Sequence, residues 1–356
     1  MSNLPNITFS NPFSVPQLER ERLLIDGLNA LTRHHRGACN LYGKMIQAVY
    51  GEECAAETLS EVPYLPVRLF KHELLKSVGD SAVVRQLASS GTSGQELSRI
   101  FIDAETSALQ IKALAAIMQQ FIGGHRLPML IIDKYDTVDK QLAFSARAAG
   151  ILGFSNFGRQ HTYALNSDMS LKWDEIHEFI MRNHGAPILL FGFTFVIWQY
   201  FLQAARSSGR KLDFGANSIL IHGGGWKKLT DQSVDNNTFK KLLADQFGIG
   251  RTSNYYGMVE QVGSIFMECE AGYFHAPSFS EVLIRDPISL EPATSGVVQV
   301  LSLLPRSYPG HAILTEDMGT IIGIDDCLCG RRGKYFCIHG RIPKAELRGC
   351  SDVIVT

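Results

Sequence analysis

Ser89-Ser90-Gly91-Thr92-Ser93-Gly94 is an unbroken run of hydroxyls and glycines. Its chemistry suits an anion such as a phosphate. Glycines let the backbone approach the charge, while amides and hydroxyls donate hydrogen bonds to it. The same composition also makes an ordinary turn, so the run takes its meaning from the residues further along the chain.

Four later stretches carry chemistry of a matching kind. Ile221-His222-Gly223-Gly224-Gly225-Trp226 reads as a strand entering three glycines. Gly223, Gly224 and Gly225 would let the backbone pass close to a flat ligand such as a purine, or would simply make a tight turn. Tyr255-Tyr256-Gly257-Met258-Val259-Glu260 offers an aromatic ring at Tyr256 and a carboxylate at Glu260. That carboxylate could hold Mg2+ against phosphate oxygens, or be a surface glutamate after a turn. In Leu314-Thr315-Glu316-Asp317-Met318-Gly319, Asp317 could take two ribose hydroxyls, as acidic residues do in other nucleotide sites. Gly340-Arg341 supplies a permanently charged guanidinium suited to an α-phosphate.

A second group is of another kind. Cys269 and His275, then Cys327 and Cys329, supply the four sulfur and nitrogen ligands of a tetrahedral structural zinc site. Reduced structural cysteines with no metal are the alternative, and Cys337 could replace one ligand. Four protein ligands leave no open position, so such a metal would brace the fold and not do chemistry.

These residues need elements to position them. Helical spacing is clearest over Glu105–Phe121, Leu171–Arg182, Thr194–Ala205 and Asn237–Phe247. Apolar runs over Met129–Ile132, Ile188–Phe191, Ile219–His222, Val297–Leu304 and Thr320–Ile324 read as strands. Their alternation predicts an α/β architecture with a substantial parallel sheet. The region to about Pro63 reads as helical, and residues 268–340 as a β-rich subdomain. The His34-His35-Arg36 cluster reads as a solvated helix face. Gly185 to Ala205 contains no charged residue. It reads as a buried strand, a turn at Gly192 and a helix, not as a membrane span. The Phe191-Gly192-Phe193-Thr194-Phe195 stretch could line an acyl pocket or belong to the core.

The 356 residues are 45% hydrophobic and 19% charged, with a net charge of -1. That balance gives no reason to expect nucleic acid or an anionic membrane as partner. The start, Met1 to Asn6, has no basic region leading into an apolar core, so no secretory signal is expected. Seven cysteines in such a chain read as reduced thiols, metal ligands or a nucleophile, and a cytoplasmic location is expected.

The order of the five nucleotide motifs resembles the adenylate-forming superfamily of acyl and aryl CoA ligases from about Ser89 to Gly349. The resemblance is closer to the phenylacetate-CoA ligase branch. It is closest to the acyl-protein synthetase family of the bacterial bioluminescence fatty-acid reductase complex. The residues that carry it are Pro63-Tyr64-Leu65-Pro66-Val67-Arg68-Leu69-Phe70-Lys71, His222–Lys227, Leu303-Leu304-Pro305-Arg306-Ser307-Tyr308-Pro309-Gly310 and Lys344-Ala345-Glu346-Leu347-Arg348-Gly349-Cys350-Ser351-Asp352. The resemblance implies that Ser89, Ser90, Gly91, Thr92, Ser93 and Gly94 cradle ATP phosphates and that Gly223 to Gly225 border the adenine and acyl groups. Tyr256 would stack on adenine, Glu260 would bind Mg2+, Asp317 would hold the ribose, and Arg341 would approach ribose or phosphate. Two positions depart from the pattern. Gln95-Glu96-Leu97-Ser98-Arg99 comes after the loop where a lysine is usual, and Val259 stands where a threonine is usual. The Asp325 to Arg332 turn resembles the cysteine-rich turn of phenylacetate-CoA ligase relatives, some of which bind zinc through this set.

The resemblance implies a large adenylate-forming domain over residues 1–349. The relatives' mobile C-terminal domain, with its catalytic lysine, is expected to be missing, since only a short tail, residues 350–356, comes after Gly349. A cysteine at the place of Cys350 carries the acyl group in the family pattern. The expected activity is therefore ATP-dependent activation of a carboxylic acid, loading on Cys350, and delivery to an acyl-accepting protein such as a reductase. A CoA ligase or a CoA or acyl-carrier-protein transacylase is the second reading. A catalytically degenerate scaffold subunit is the third.

Overall fold

The computed structural model describes residues 4, 6–52, 54–88, 97–138 and 145–342. The chain divides into two compact units, Met118–Tyr256 and the combination of Met1–Ile117 with Gly257–Thr356.

Met118–Tyr256 is a doubly wound unit. Its strands lie in the order Gly158–Leu165, Leu127–Lys134, Leu189–Phe193, Ile219–Gly223, Arg251–Tyr256, and each neighbouring pair is parallel. Parallel strands need crossovers. Helices Ala146–Ser155, Trp173–Arg182 and Asn236–Phe247 supply three of them. The inner strands are continuous apolar runs because both faces are covered; Met129 to Ile132 and Leu189 to Phe191 are almost fully buried. Asn236–Phe247 is set by its ends. The Asp235 carboxylate accepts from the Thr238 amide, and Gly248 closes the helix at φ 62°. Counted along the chain, the strand order is 2-1-3-4-5. That order places a ligand crevice at the carboxyl ends of the strands, where Asp133, Phe193, Gly223 and Tyr256 lie.

One expectation needs correction in this unit. Gly192 is not a turn; it lies inside the Leu189–Phe193 strand, paired with Ile132 and His222. A Cβ there would stand 3.0 Å from Ile132 Cβ and from Ile197 Cγ1, so the glycine permits close packing. The expected helix after this strand is present and unbroken from Thr194 to Ser208, but its winding changes along its length. It runs as Thr194–Val196, a π-helical Ile197–Leu202 and Gln203–Ser208. No described helix is long and apolar enough to cross a membrane.

The other unit is built on antiparallel strands in the order Ser280–Arg285, Ser295–Ser302, Ala312–Ile324, Lys334–Arg341, Phe274–His275, Phe266–Glu268. Leu65–Pro66 adds a short parallel pairing to Ile313 and Leu314. Val83–Ala88 and Arg99–Asp103 form a separate antiparallel pair. Helix Gln17–Ala38 presents Leu24, Leu28 and Leu31 to Leu301, Leu303 and Ala312. Spacing of four and three residues puts these leucines on one stripe, and each contributes roughly 1.5–3 kcal/mol by burial.

His35 continues that stripe, and the solvated-face expectation fails for it. The ring is fully buried, with Nδ1 2.7 Å from Ser77 Oγ and Nε2 3.1 Å from the Pro305 carbonyl. It stacks on buried His311, centroids 5.1 Å apart. Burial holds both imidazoles well below their usual range, so the pair packs as neutral rings.

Candidate functional site

Glu260 sits on a single helical turn, Val259–Gln261, and is only 6% exposed. The surface-glutamate alternative is therefore excluded. Burial pushes its carboxyl above the usual carboxylate range. The Ser98 hydroxyl, its own backbone and the charges of Lys71 and Arg341 pull the other way. Neighbouring Gln261 fixes the turn, donating through Nε2 to the Gly310 carbonyl at 2.9 Å and the Val300 carbonyl at 3.2 Å. Gly310 leaves no room for a side chain. A Cβ there would press on the Tyr308 ring and stand 2.7 Å from the Glu260 carbonyl oxygen. Gly310→Ala is accordingly expected to cost about 1–3 kcal/mol, read as a fall of several degrees in Tm. An unchanged Tm would contradict this packing.

Asp317 and Arg341 are register partners on neighbouring strands, with Arg341 Nε 3.9 Å from Asp317 Oδ1. Arg341 is 63% exposed at its side chain and Asp317 21%. The Thr315 hydroxyl steadies this end of the strand, donating to the Val298 carbonyl at 2.8 Å and accepting from the Asp317 amide at 3.1 Å. Arg68 reaches across to pair with Glu316. A partly buried carboxylate and an exposed cation thus lie side by side on two neighbouring strands, in the same unit as Glu260.

In the Met118–Tyr256 unit, Gly224 and Gly225 take φ of 81° and 62°. That left-handed backbone lets the chain turn off the end of the Ile219–Gly223 strand. Aromatic rings close over Gly223 and Gly224. A Cβ on Gly223 would stand 2.6 Å from Tyr255 Cε1, and one on Gly224 would stand 2.8 Å from Phe193 Cδ1. Tyr255 stacks in turn with Phe191 at 6.4 Å and lies 4.9 Å from Phe154. Tyr256 ends the Arg251–Tyr256 strand and is half-buried. Sequence reasoning singled out Tyr256 and the glycines but assigned nothing to Tyr255. Its place opposite Gly223 is visible only in the parallel register.

His222 is fixed by Thr194. The Thr194 hydroxyl donates to the Gly223 carbonyl at 3.1 Å and stands 2.9 Å from His222 Nδ1. A hydroxyl has one proton to give, so Nδ1 is the protonated ring nitrogen. Nε2 is then a bare lone pair, buried and without a hydrogen-bond partner among the described residues. Burial, with the Lys240 charge adding to it, holds the imidazole down to about 3, so the ring is neutral at physiological pH.

Cys269, His275, Cys327 and Cys329 come together. Their ligand atoms all lie within 4.8 Å of one another. The Cys269 and Cys327 sulfurs are 3.9 Å apart, and Cys329 Sγ is 3.4 Å from His275 Nε2. A tetrahedral zinc with ordinary bond lengths requires edges of about 3.8 Å between sulfurs and about 3.5 Å between sulfur and nitrogen. The residues therefore fit the ion. Both sulfur turns use the same device. The Gly272 amide donates to the Cys269 carbonyl and the Gly330 amide to the Cys327 carbonyl, each at 2.9 Å, and both glycines have positive φ. Cys337 is not among the converging four.

Ser89 to Gly94 and Cys350 lie outside the described residues. The structure gives a frame for the first of these: Ala88 and Arg99 are register partners in the antiparallel pair that the stretch joins.

A family model described as "Acyl-protein synthetase, LuxE" matches residues 2–356. Two relatives are each named long-chain-fatty-acid--luciferin-component ligase. The one from Aliivibrio fischeri is 24% identical over 274 residues, 74% of this chain and 70% of the relative. The one from Vibrio harveyi is 24% identical over 317 residues, 83% and 78%. Among solved structures, an open conformation of 2-hydroxyisobutyryl-CoA ligase, in complex with 2-HIB-AMP and CoA, superposes with a TM-score of 0.72 at 15% identity. The match covers 96% of this chain and 81% of that one, which establishes a shared fold.

Proposed function

The chain belongs to the acyl-protein synthetase (LuxE) family, and from that premise we propose that it activates a fatty acid with ATP and passes the acyl group through Cys350 to an acyl-accepting protein such as a reductase. The observation that supports it best is Glu260, a carboxylate buried to 6% exposure with the charges of Lys71 and Arg341 acting on it. A buried carboxylate is costly to the fold; Lys71 and Arg341 offset only part of that cost, and a bound cation would offset the rest.

In this reading the acid's carboxylate attacks the α-phosphorus of ATP, an acyl adenylate forms and pyrophosphate leaves. Glu260 would hold Mg2+, which would supply positive charge to the phosphate oxygens. Asp317 takes the ribose hydroxyls and Arg341 the nearby phosphate or ribose. Tyr256 stacks on adenine, and Gly223 to Gly225 border the adenine and acyl groups. Ser89 to Gly94 cradle the phosphates. The Cys350 thiolate then attacks the acyl carbon and AMP leaves, giving a thioester. Cys269, His275, Cys327 and Cys329 would hold a zinc ion with a structural role.

Radiolabelled fatty acid with Mg·ATP tests the scheme. The expected result is protein-bound label that hydroxylamine releases and that Cys350→Ser abolishes, while acid-dependent exchange of pyrophosphate into ATP persists in that variant. Label surviving Cys350→Ser would remove the cysteine step. Product formed instead on added CoA or carrier protein would favour a CoA or carrier-protein ligase. No exchange with any fatty or aromatic acid would sink the enzymatic reading.

A further inference from the structure

Two cations act on Glu260, Lys71 and Arg341, and Lys71 stands apart both from Arg341 and from the cations near it in the chain and the fold. Arg68 pairs with Glu316, Lys76 with Asp80, Arg306 with Glu105, and Arg341 lies 3.9 Å from Asp317. Lys71 has no ion-pair partner among the described residues. It is half-buried all the same.

Its backbone is tightly placed. Leu65 and Pro66 pair in register with Ile313 and Leu314, and the Val67 amide donates to the Leu314 carbonyl at 2.9 Å. The chain then turns through the short helix Leu69–His72, with Phe70 fully buried. The Phe70 ring meets the Tyr308 ring edge-on, centroids 6.4 Å apart at 87°. Tyr308 in turn packs where Gly310 presses against the Glu260 turn. Arg68, three residues before Lys71, is held by Glu316, which adjoins Asp317. The segment is therefore tied both to the strand that carries Asp317 and, through Phe70 and Tyr308, to the Glu260 turn.

We infer that Lys71 is a phosphate-binding residue, its ammonium contacting the polyphosphate of the nucleotide that Glu260 holds through its cation. The inference rests on the nucleotide reading of Glu260. The Lys71 charge acts on the buried Glu260 carboxylate although the two form no ion pair, an arrangement suited to a ligand that satisfies both. A metal-bound phosphate does so, since its oxygens accept from the ammonium while the cation meets the carboxylate. A lysine serves here as a point charge that tracks the phosphate chain. If Lys71 were only a counter-ion for Glu260, the two would be in contact.

Binding of Mg·ATP and of AMP to the full chain separates these cases, by titration calorimetry on wild type, Lys71→Met, Lys71→Arg and Lys76→Met. Lys71→Met is expected to weaken Mg·ATP by about tenfold or more, the loss of one charge-assisted contact. AMP, which lacks the β- and γ-phosphates, should bind as in wild type, and Tm should stay unchanged. Lys71→Arg should recover most of the ATP affinity, and Lys76→Met should match wild type. Equal weakening of ATP and AMP, or a fall in Tm without nucleotide, would make Lys71 structural and overturn the inference. Unchanged ATP binding in Lys71→Met would overturn it as well. Failure of the wild type to bind Mg·ATP would instead remove the nucleotide reading itself, and this inference with it.

Discussion

Glu260→Gln is expected to lose acid-dependent pyrophosphate exchange by roughly 10²–10³-fold, the scale of removing one group that meets developing charge in a closed site. The same substitution should raise the stability of the chain free of nucleotide. The carboxyl is 6% exposed and burial lifts it above the usual range. A group raised in the folded state holds its proton longer than the unfolded chain does. Stability is then full below the ordinary carboxylate pKa of about 4.3, and falls as pH rises toward the lifted value. Glutamine keeps the shape and has no proton to lose, so it escapes that fall. Calorimetry in the absence of Mg2+ and ATP should show the variant melting above wild type at pH 7, with the gap narrowing as pH falls toward the ordinary range. A variant that melts lower at pH 7 by a margin independent of pH would show that the carboxylate braces the fold. Loss of activity with gain of stability marks a residue kept for function.

How far such a site could be read from the chain depends on the kind of signal each residue left. The inner strands of the Met118–Tyr256 unit announce themselves because both faces are buried. Leu189–Phe193 is an unbroken apolar run, and Ile219–Gly223 opens on one at Ile219 to Ile221. Gly158–Leu165 gave no such signal. It lies at the end of the parallel order and carries Arg159, Gln160 and His161 outward. Arg251–Tyr256 is mostly half-buried, and its Arg-Thr-Ser-Asn start hides a strand. Gly192 misled because a glycine in an apolar run usually means a turn; here close approach of Ile132 and Ile197 demands it. The burial of His35 was legible in its spacing. Leu24, Leu28, Leu31 and His35 lie on one helical stripe, and that period outweighs the polarity of the His-His-Arg cluster. The family was legible in long strings such as Leu303 to Gly310, whose residues the structure packs against His35, Thr106 and the Glu260 turn. Lys71 left no chemical signal in the sequence. Its role emerges only when register pairing and the Phe70–Tyr308 contact bring it toward Glu260.

The cysteine cluster gives the second large expected effect, on the fold itself. Cys327→Ala should lower bound zinc from one ion per chain to well under half and drop Tm by roughly 10 °C. A structural zinc site contributes on the order of 10 kcal/mol of binding that is available only to the folded chain. Losing one of four ligands forfeits several of these, and each kcal/mol is worth about 2–4 °C in a chain of this size. The cluster ties distant segments together. Cys269 and His275 come from one stretch, Cys327 and Cys329 from a turn about fifty residues on. The latter turn also holds the start of the first long helix. The Asp325 carboxylate accepts from the Gln17 and Gly333 amides, and buried Arg20 donates to the Ala276 and Arg332 carbonyls. Without the ion, two buried thiols would face each other with nothing to bind, and this latch would lose its support. Cys337→Ala is the matched control, since Cys337 is half-buried in the same region but outside the converging four. Elemental analysis and melting of both variants decide the matter. Wild type purified without chelator and found essentially free of zinc would refute the site. Equal losses in Cys327→Ala and Cys337→Ala would assign the effect to packing. Loss confined to Cys327→Ala, reproduced in wild type by a chelator and reversed by added zinc, would establish a metal brace that makes no direct contact with the nucleotide chemistry.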